Sequence, residues 1–362
     1  MKITFRTDAS IDIGTGHVMR CLTLANALRE LGHQCVFISR EHSGNLCSLI
    51  EGEGFKVHRL PLEKKSPDTN LLHSSWLGGS QTHDAELCQC IIAEFSPDWI
   101  VVDHYALDFN WEIAVSREGC RLLVIDDLAD RKHKCDILLD QNLGKTTRHY
   151  ELLVPHGCIT LTGPTNALLR PEFSSFRTDS LTRRRQGTLR EVMITLGGVD
   201  AENFTDKILE ALARCALPDD IKFTVVLGVM APHFESLTER VGSYPWPVSV
   251  LRGIKNMAQR MMAADLIIGA GGGTSWERCC LGVPSLLVVL ADNQKFAVSS
   301  LCESGAAKFI DLTLPLESQL QAAFDSMLQG DQLKVMSQSA SMICEGRGVD
   351  RLIETMLAVA KS

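Results

Sequence analysis

Ten short β-rich runs, most of them continuous in Val, Ile and Leu, recur along this chain, with amphipathic stretches between them. They span 2–5, 35–39, 99–103, 122–126 and 137–139 in the first half, then 191–195, 223–227, 249–251, 266–268 and 285–290. A run that is apolar at nearly every position has no face for water, so it suits a parallel strand covered on both sides. In between, Val18, Cys21, Leu22, Ala25, Leu28 and Leu31 recur at helical spacing. Repeated strand–helix alternation implies doubly wound parallel α/β sheets. At 362 residues the chain is long for one domain and comfortable for two. A polar, aperiodic stretch over 173–190, ending near Arg183-Arg184-Arg185, marks the boundary. The expected division is 1–175 and 176–362, two Rossmann-like domains facing a cleft, with ligands beyond the strands' carboxyl ends. A polar insert at 63–85 is expected on the surface, where Trp76-Leu77-Gly78-Gly79 can pack back against the body.

Composition narrows the function classes. The net charge of -8 leaves no excess of Lys and Arg to neutralise phosphates, which argues against a nucleic-acid partner. The thirteen cysteines are odd in number, scattered through apolar runs and without a CxxC pair, so they read as reduced thiols. The N-terminus has no apolar core of signal-peptide length, and no apolar run is long enough to span a bilayer. A cytoplasmic protein with no membrane partner is expected.

Four segments carry candidate chemistry. Asp8-Ala9-Ser10-Ile11-Asp12-Ile13-Gly14-Thr15-Gly16-His17 joins the first strand to the first helix. Gly14 and Gly16 let backbone amides approach an anion, and His17 at the helix start can take a proton from water. The bland alternative is a tight turn with an incidental histidine. Ile268-Gly269-Ala270-Gly271-Gly272-Gly273-Thr274-Ser275-Trp276-Glu277 repeats the strand–glycine–helix pattern. Three consecutive glycines are entropically costly unless something must come close, and a diphosphate is the natural candidate. Glu277 has two readings, a ribose contact or the acidic member of a Thr274-x-x-Glu277 capping box. Asp292-Asn293-Gln294 follows an apolar strand and is either a ligand contact or a loop with a helix cap. Asp103-His104-Tyr105 and Asp126-Asp127 close two strands and read as ordinary polar termination. No HExxH, P-loop lysine or clear metal-ligand cluster occurs, so neither a metal nor a cofactor is expected.

Taken in order, these segments resemble the UDP-sugar hydrolases of pseudaminic acid biosynthesis, relatives of the peptidoglycan N-acetylglucosaminyltransferase with the glycosyltransferase-B fold. The matching stretches include Phe5-Arg6-Thr7-Asp8, Ile13–Cys21 with Gly14-Thr15-Gly16-His17, Trp76-Leu77-Gly78, Asp84-Ala85-Glu86 and Val102-Asp103-His104-Tyr105. They continue through Asp126–Arg131, Leu139-Asp140-Gln141-Asn142, Ala167–Phe173 with Arg170, the glycine turn and Ala291-Asp292-Asn293-Gln294. The resemblance implies that His17 is the catalytic base, with Tyr105 helping to orient water or sugar. It implies that Glu277 meets the ribose, that Gly272, Gly273, Thr274 and Ser275 serve the diphosphate, and that Asn293 and Gln294 meet phosphate or sugar. Arg6 and Arg170 carry over as substrate contacts. Gly273 departs from the small non-glycine residue expected of many relatives.

The implied reaction is metal-independent hydrolysis of UDP-2,4-diacetamido-2,4,6-trideoxy-β-L-altropyranose, with inversion at the anomeric carbon, by a monomer. Three rivals stay open: a transferase of the same fold, a hydrolysing UDP-sugar 2-epimerase, and a non-catalytic nucleotide-sugar binding protein.

Overall fold

The structure is a computed structural model that describes residues 1–63, 69–229 and 231–360. Residues 64–68 of the 63–85 insert lie outside the described residues, as do 361–362 at the end of the expected second domain. The chain divides into two compact units, Met1–Leu168 with the segment from Arg347 onward, and Leu169–Gly346.

In the first unit the strands are β1 (Lys2–Thr7), β2 (Gln34–Arg40), β3 (Lys56–Leu60), β4 (Trp99–Asp103), β5 (Arg121–Ile125), β6 (Ile137–Asp140) and β7 (Ile159–Thr162). Its helices are α1 (Gly16–Glu30), α2 (Cys47–Gly52), α3 (Gln81–Phe95) and α4 (Phe109–Val115). The sheet is parallel in the order β3-β2-β1-β4-β5-β6-β7. Alternation along β4 shows why its run is apolar throughout. Trp99 and Val101 join one cluster with Val18, Leu22 and Leu28 of α1, while Ile100 and Val102 join another with Ala85, Cys88 and Ile92 of α3.

The second unit holds α5 (Pro171–Arg184), β8 (Glu191–Thr195), α6 (Phe204–Leu212), β9 (Lys222–Leu227), α7 (Phe234–Arg240), β10 (Val248–Arg252) and α8 (Met257–Ala263). It continues with β11 (Leu266–Ala270), α9 (Thr274–Cys280), β12 (Ser285–Val288), α10 (Lys295–Glu303), β13 (Ala307–Phe309), α11 (Leu316–Leu328) and α12 (Gln332–Ser341). Its parallel sheet runs β10-β9-β8-β11-β12-β13. In each sheet the order reverses beside the unit's first strand, between β1 and β4 or between β8 and β11. Those are the topological switch points where open α/β sheets bind ligands.

All ten expected strands are present, and β3, β7 and β13 are additional. Each of the three lies at a sheet edge. An edge strand is covered less completely and needs no continuous apolar run, as Lys-Val-His-Arg-Leu and Ile-Thr-Leu-Thr illustrate. The division expected at 175/176 is also corrected. The last helix, α13 (Gly348–Ala360), returns to the first unit, where Leu352, Ile353 and Met356 pack with Leu24, Ala25 and Leu168. The stretch expected to be an aperiodic boundary is largely helix α5, which belongs to the second unit, where buried Arg184 donates to the carbonyls of Met261, Ala264 and Leu281. Among the described residues, no helix is long and apolar enough to cross a membrane.

Candidate active site

After β1 the chain turns on Ser10, whose hydroxyl accepts from the amides of Asp12 at 3.1 Å and Ile13 at 2.9 Å. Gly14 sits at φ +79° and donates its amide to the Ser10 carbonyl at 2.9 Å, so the turn itself requires this glycine. Gly16 is different. It is exposed, has no positive φ, and a Cβ there would meet nothing within 4 Å. No packing reason selects glycine at this point.

Helix α1 then delivers His17, 8% exposed, to the switch point. Parallel pairing sets Thr7 of β1 beside Asp103 at the end of β4, and His17 Nδ1 lies 2.6 Å from Asp103 Oδ1. Asp103 is fully buried and also receives Arg20 Nε at 2.6 Å and Arg20 Nη2 at 2.7 Å. Burial opposes its charge, but Arg20 and then His17 hold Asp103 well below the ordinary carboxylate range. A carboxylate at Nδ1 selects the tautomer that carries its proton there, leaving Nε2 as the acceptor. Nε2 makes no hydrogen bond with any described residue. Arg20 Nη1 also reaches Asp127 at 2.7 Å, and the Tyr105 hydroxyl donates to the same carboxylate at 2.6 Å. Burial first, and Asp127 next, push the Tyr105 phenol well above its ordinary value, so it remains a donor. Its ring meets the His17 ring in a T-shaped contact, centroids 4.6 Å apart at 84°. Tyr105 therefore touches His17 through its ring, while its proton is committed to Asp127.

Arg6 requires a correction. Expected as a substrate contact, it is fully buried, with Nη1 2.6 Å from Asp8 Oδ1 and its other donors on Asp84 at 2.7 and 3.1 Å. Asp84 also binds Arg40 Nη2 at 2.8 Å and Trp111 Nε1 at 2.9 Å. Arg6 thus ties β1 to α3 beneath the loop. Asp103 and Asp127, read from the sequence as ordinary polar strand termination, join His17 and Tyr105 in this cluster. Arg20, which the sequence reading did not single out, joins them from one turn beyond His17 on the same helix face.

In the second unit the glycines separate by role. A Cβ at Gly271 would stand 2.2 Å from Val298 Cγ2, and one at Gly269 would stand 2.5 Å from Arg278 Nη1, so packing requires both glycines. Gly272 and Gly273 are exposed with nothing within 4 Å of a Cβ. The amides of Gly272, Gly273 and Thr274 donate to no described residue. Ser275 is a second correction. It is 1% exposed, its amide closes the turn on the Gly272 carbonyl at 2.9 Å, and its hydroxyl accepts from Arg278 at 2.8 Å. Ser275 builds the turn: its amide is spent on Gly272, and its hydroxyl is buried against Arg278. The Thr274 hydroxyl also accepts from Arg278, at 3.3 Å, and α9 has no side-chain cap. The capping-box reading of Glu277 therefore fails. Glu277 instead faces Arg170 Nη2 at 3.5 Å, and burial raises its carboxyl above the ordinary value against the pull of Arg170. Arg170 also pairs with Glu172 at 3.2 Å.

The 292–294 turn packs on the glycine turn, with Gln294 Cβ 3.4 Å from a Cβ at Gly271. Gln294 Oε1 accepts the Leu290 amide at 2.9 Å, whereas Asn293 is exposed and bonds to no described residue. The structure thus brings His17, Tyr105 and Gly16 together in one unit. In the other it brings together Arg170, Glu277, Gly272, Gly273, Thr274, Asn293 and Gln294.

Residues 191–353 match the Glycosyltransferase family 28 C-terminal domain. An uncharacterized protein of Methanocaldococcus jannaschii, MJ1062, is 27% identical across 81% of this chain. The match spans 56% of that relative, little more than half its length. The UDP-2,4-diacetamido-2,4,6-trideoxy-beta-L-altropyranose hydrolase of Campylobacter jejuni is 28% identical across 84% of this chain and 97% of its own. The spore coat polysaccharide biosynthesis protein SpsG of Bacillus subtilis is 30% identical across 87% of this chain and 84% of its own. Among solved structures, MurG of Acinetobacter baumannii superposes with a TM-score of 0.72 at 16% identity, covering 99% of both chains. The fold is glycosyltransferase-B-like.

Proposed function

Because the chain belongs to the family of the spore coat protein SpsG, we propose that it is a nucleotide-sugar enzyme, specifically a UDP-sugar hydrolase. The substrate is UDP-2,4-diacetamido-2,4,6-trideoxy-β-L-altropyranose, and the products are UDP and 2,4-diacetamido-2,4,6-trideoxy-L-altrose. The observation that carries this reading is the buried Asp103–His17 pair with Nε2 left unengaged. A histidine oriented in this way is equipped to activate water, and the likeness to the Campylobacter hydrolase across 84% of this chain supports that choice of substrate.

In this reading the second unit holds the nucleotide. The unpaired amides at Gly272, Gly273 and Thr274 receive diphosphate oxygens, Glu277 takes the ribose, and Asn293 completes the polar surround. The first unit handles the water. As the water oxygen bonds to the anomeric carbon, its proton passes to His17 Nε2. The anomeric C–O bond breaks, and the electron pair leaves with UDP, which needs little general-acid help. Asp103 stabilises the imidazolium as it forms, without itself taking the proton. Direct displacement predicts inversion, with no carboxylate nucleophile.

Turnover in ¹⁸O-labelled water, with mass analysis of both products, tests the reading. Label in the free sugar is the expected result. Label in UDP means attack at phosphorus and overturns the mechanism. A 2-epimerised sugar points to the epimerase, and UDP release only when an acceptor is added points to a transferase.

A further inference from the structure

Trp76 stands part-exposed near His17 without being needed to anchor its own segment. The short turn Ser74–Leu77 is held by its neighbours. Leu77, 2% exposed, packs with Leu60, Ala85 and Ile92. Gly78 follows at φ +66°, where a Cβ would lie 2.7 Å from the His42 ring and 2.8 Å from Leu62. The Gly78 carbonyl accepts the Glu63 amide at 2.9 Å. Leu77 and Gly78 therefore fix the segment, and Trp76 projects to a different neighbour.

That neighbour is Tyr105. The indole stacks on its ring at 5.7 Å and 24°, and His73 lies 4.3 Å from Trp76 and 5.4 Å from Tyr105. Tyr105 in turn meets the His17 ring in a T-shaped contact with centroids 4.6 Å apart. An aromatic series thus leads outward from His17, and its outer members, Trp76 and His73, keep part of their surface in water. A wet indole on a short, pinned turn leaves apolar area unburied until something covers it. Partial burial lowers the His73 imidazole from its ordinary value, which keeps a neutral ring available for hydrogen bonding.

We propose that Trp76 and His73 are specificity-determining residues, forming a wall that receives the apolar face of a pyranose whose anomeric carbon lies before His17. The ligand class is a nucleotide sugar with few hydroxyls, whose C–H, methyl or N-acetyl groups stack on the indole. The inference rests on the nucleotide-sugar reading above and adds the element that recognises the sugar. It also gives the 63–85 insert a role.

Calorimetric titration of the His17→Asn protein with UDP and with the UDP-diacetamido-trideoxy sugar, with and without Trp76→Ala, tests it with turnover slowed. The expected result is UDP affinity unchanged and UDP-sugar affinity weakened about tenfold or more. Trp76→Phe should restore most of the loss. Equal losses for both ligands, or none for either, overturn the wall. The hydrolase reading fails separately: wild-type protein that releases no UDP, while the sugar-dependent loss persists, sinks hydrolysis and leaves the wall standing.

Discussion

At the scale of single residues, orientation separates the functional side chains from those that only support them. His17 and Arg6 both belong to matching segments at the head of the chain, yet one reaches the site and the other is fully buried beneath it. Replacing His17 with Asn is expected to lower kcat by about 10²–10⁴-fold while UDP affinity holds, read by steady-state rates and calorimetry. Asp103→Asn keeps the shape but can donate to Nδ1 and so favour the wrong tautomer. A loss of about 10²-fold or more in kcat is expected, with KM little changed. A loss of two- or three-fold for either variant would remove the pair from the chemistry. Arg6→Met leaves Asp8 and Asp84 charged without this partner, a break that costs about 3–5 kcal/mol and lowers the urea midpoint. His17 was legible because glycines and a helix start surround it in sequence. Asp103 was not, since a carboxylate ending an apolar strand looks the same whether it faces water or a histidine 86 residues away.

At the scale of elements, the two glycine turns make distinguishable expectations. Gly271→Ala forces a methyl against Val298 and should lower the melting temperature, as overpacking costs typically about 1–3 kcal/mol. Gly272→Ala meets open space, so the melting temperature should hold while UDP binding weakens in calorimetry. If both variants behave alike, the division of roles is wrong. The end of β6 provides a pH signature. Burial, with Asp127 adding, raises the Asp140 carboxyl to about 7 beside the Tyr150 hydroxyl at 2.8 Å. The unfolded chain binds this proton only below about 4, so the folded state holds more protons between about 4 and 7. Stability from this group is therefore present at low pH and lost as pH rises through that window, by up to roughly 4 kcal/mol. Asn mimics the protonated form, so Asp140→Asn should flatten that slope in urea titrations at pH 4.5 and 8. An unchanged slope would show that Asp140 is ionised throughout. The glycine runs were legible because three in a row are hard to explain by chain geometry. Which glycines serve packing was not, because Val298 and Arg278 approach them through the fold.

At the scale of the whole molecule, the chain leaves the first unit at Leu168 and rejoins it at Arg347. Deleting the chain beyond Gly346 would expose Leu24, Ala25 and Leu168 and remove Leu352 and Met356, both fully buried. At about 1.5–3 kcal/mol for each large apolar side chain, the first unit should melt well below the second, giving two transitions in calorimetry. One unshifted transition would mean that α13 adds little. The sequence by itself determined the α/β class, ten of the strands, the two strand–glycine–helix loops and the candidacy of His17. Each of these is a local consequence of side-chain periodicity or backbone freedom, written within a few consecutive residues. Tertiary structure decided the edge strands, the return of α13, the burial of Arg6, the Ser275 turn and the Asp103–His17–Arg20 cluster. Those depend on strand register and on contacts between residues far apart in the chain, where no local pattern records which partner a side chain will meet.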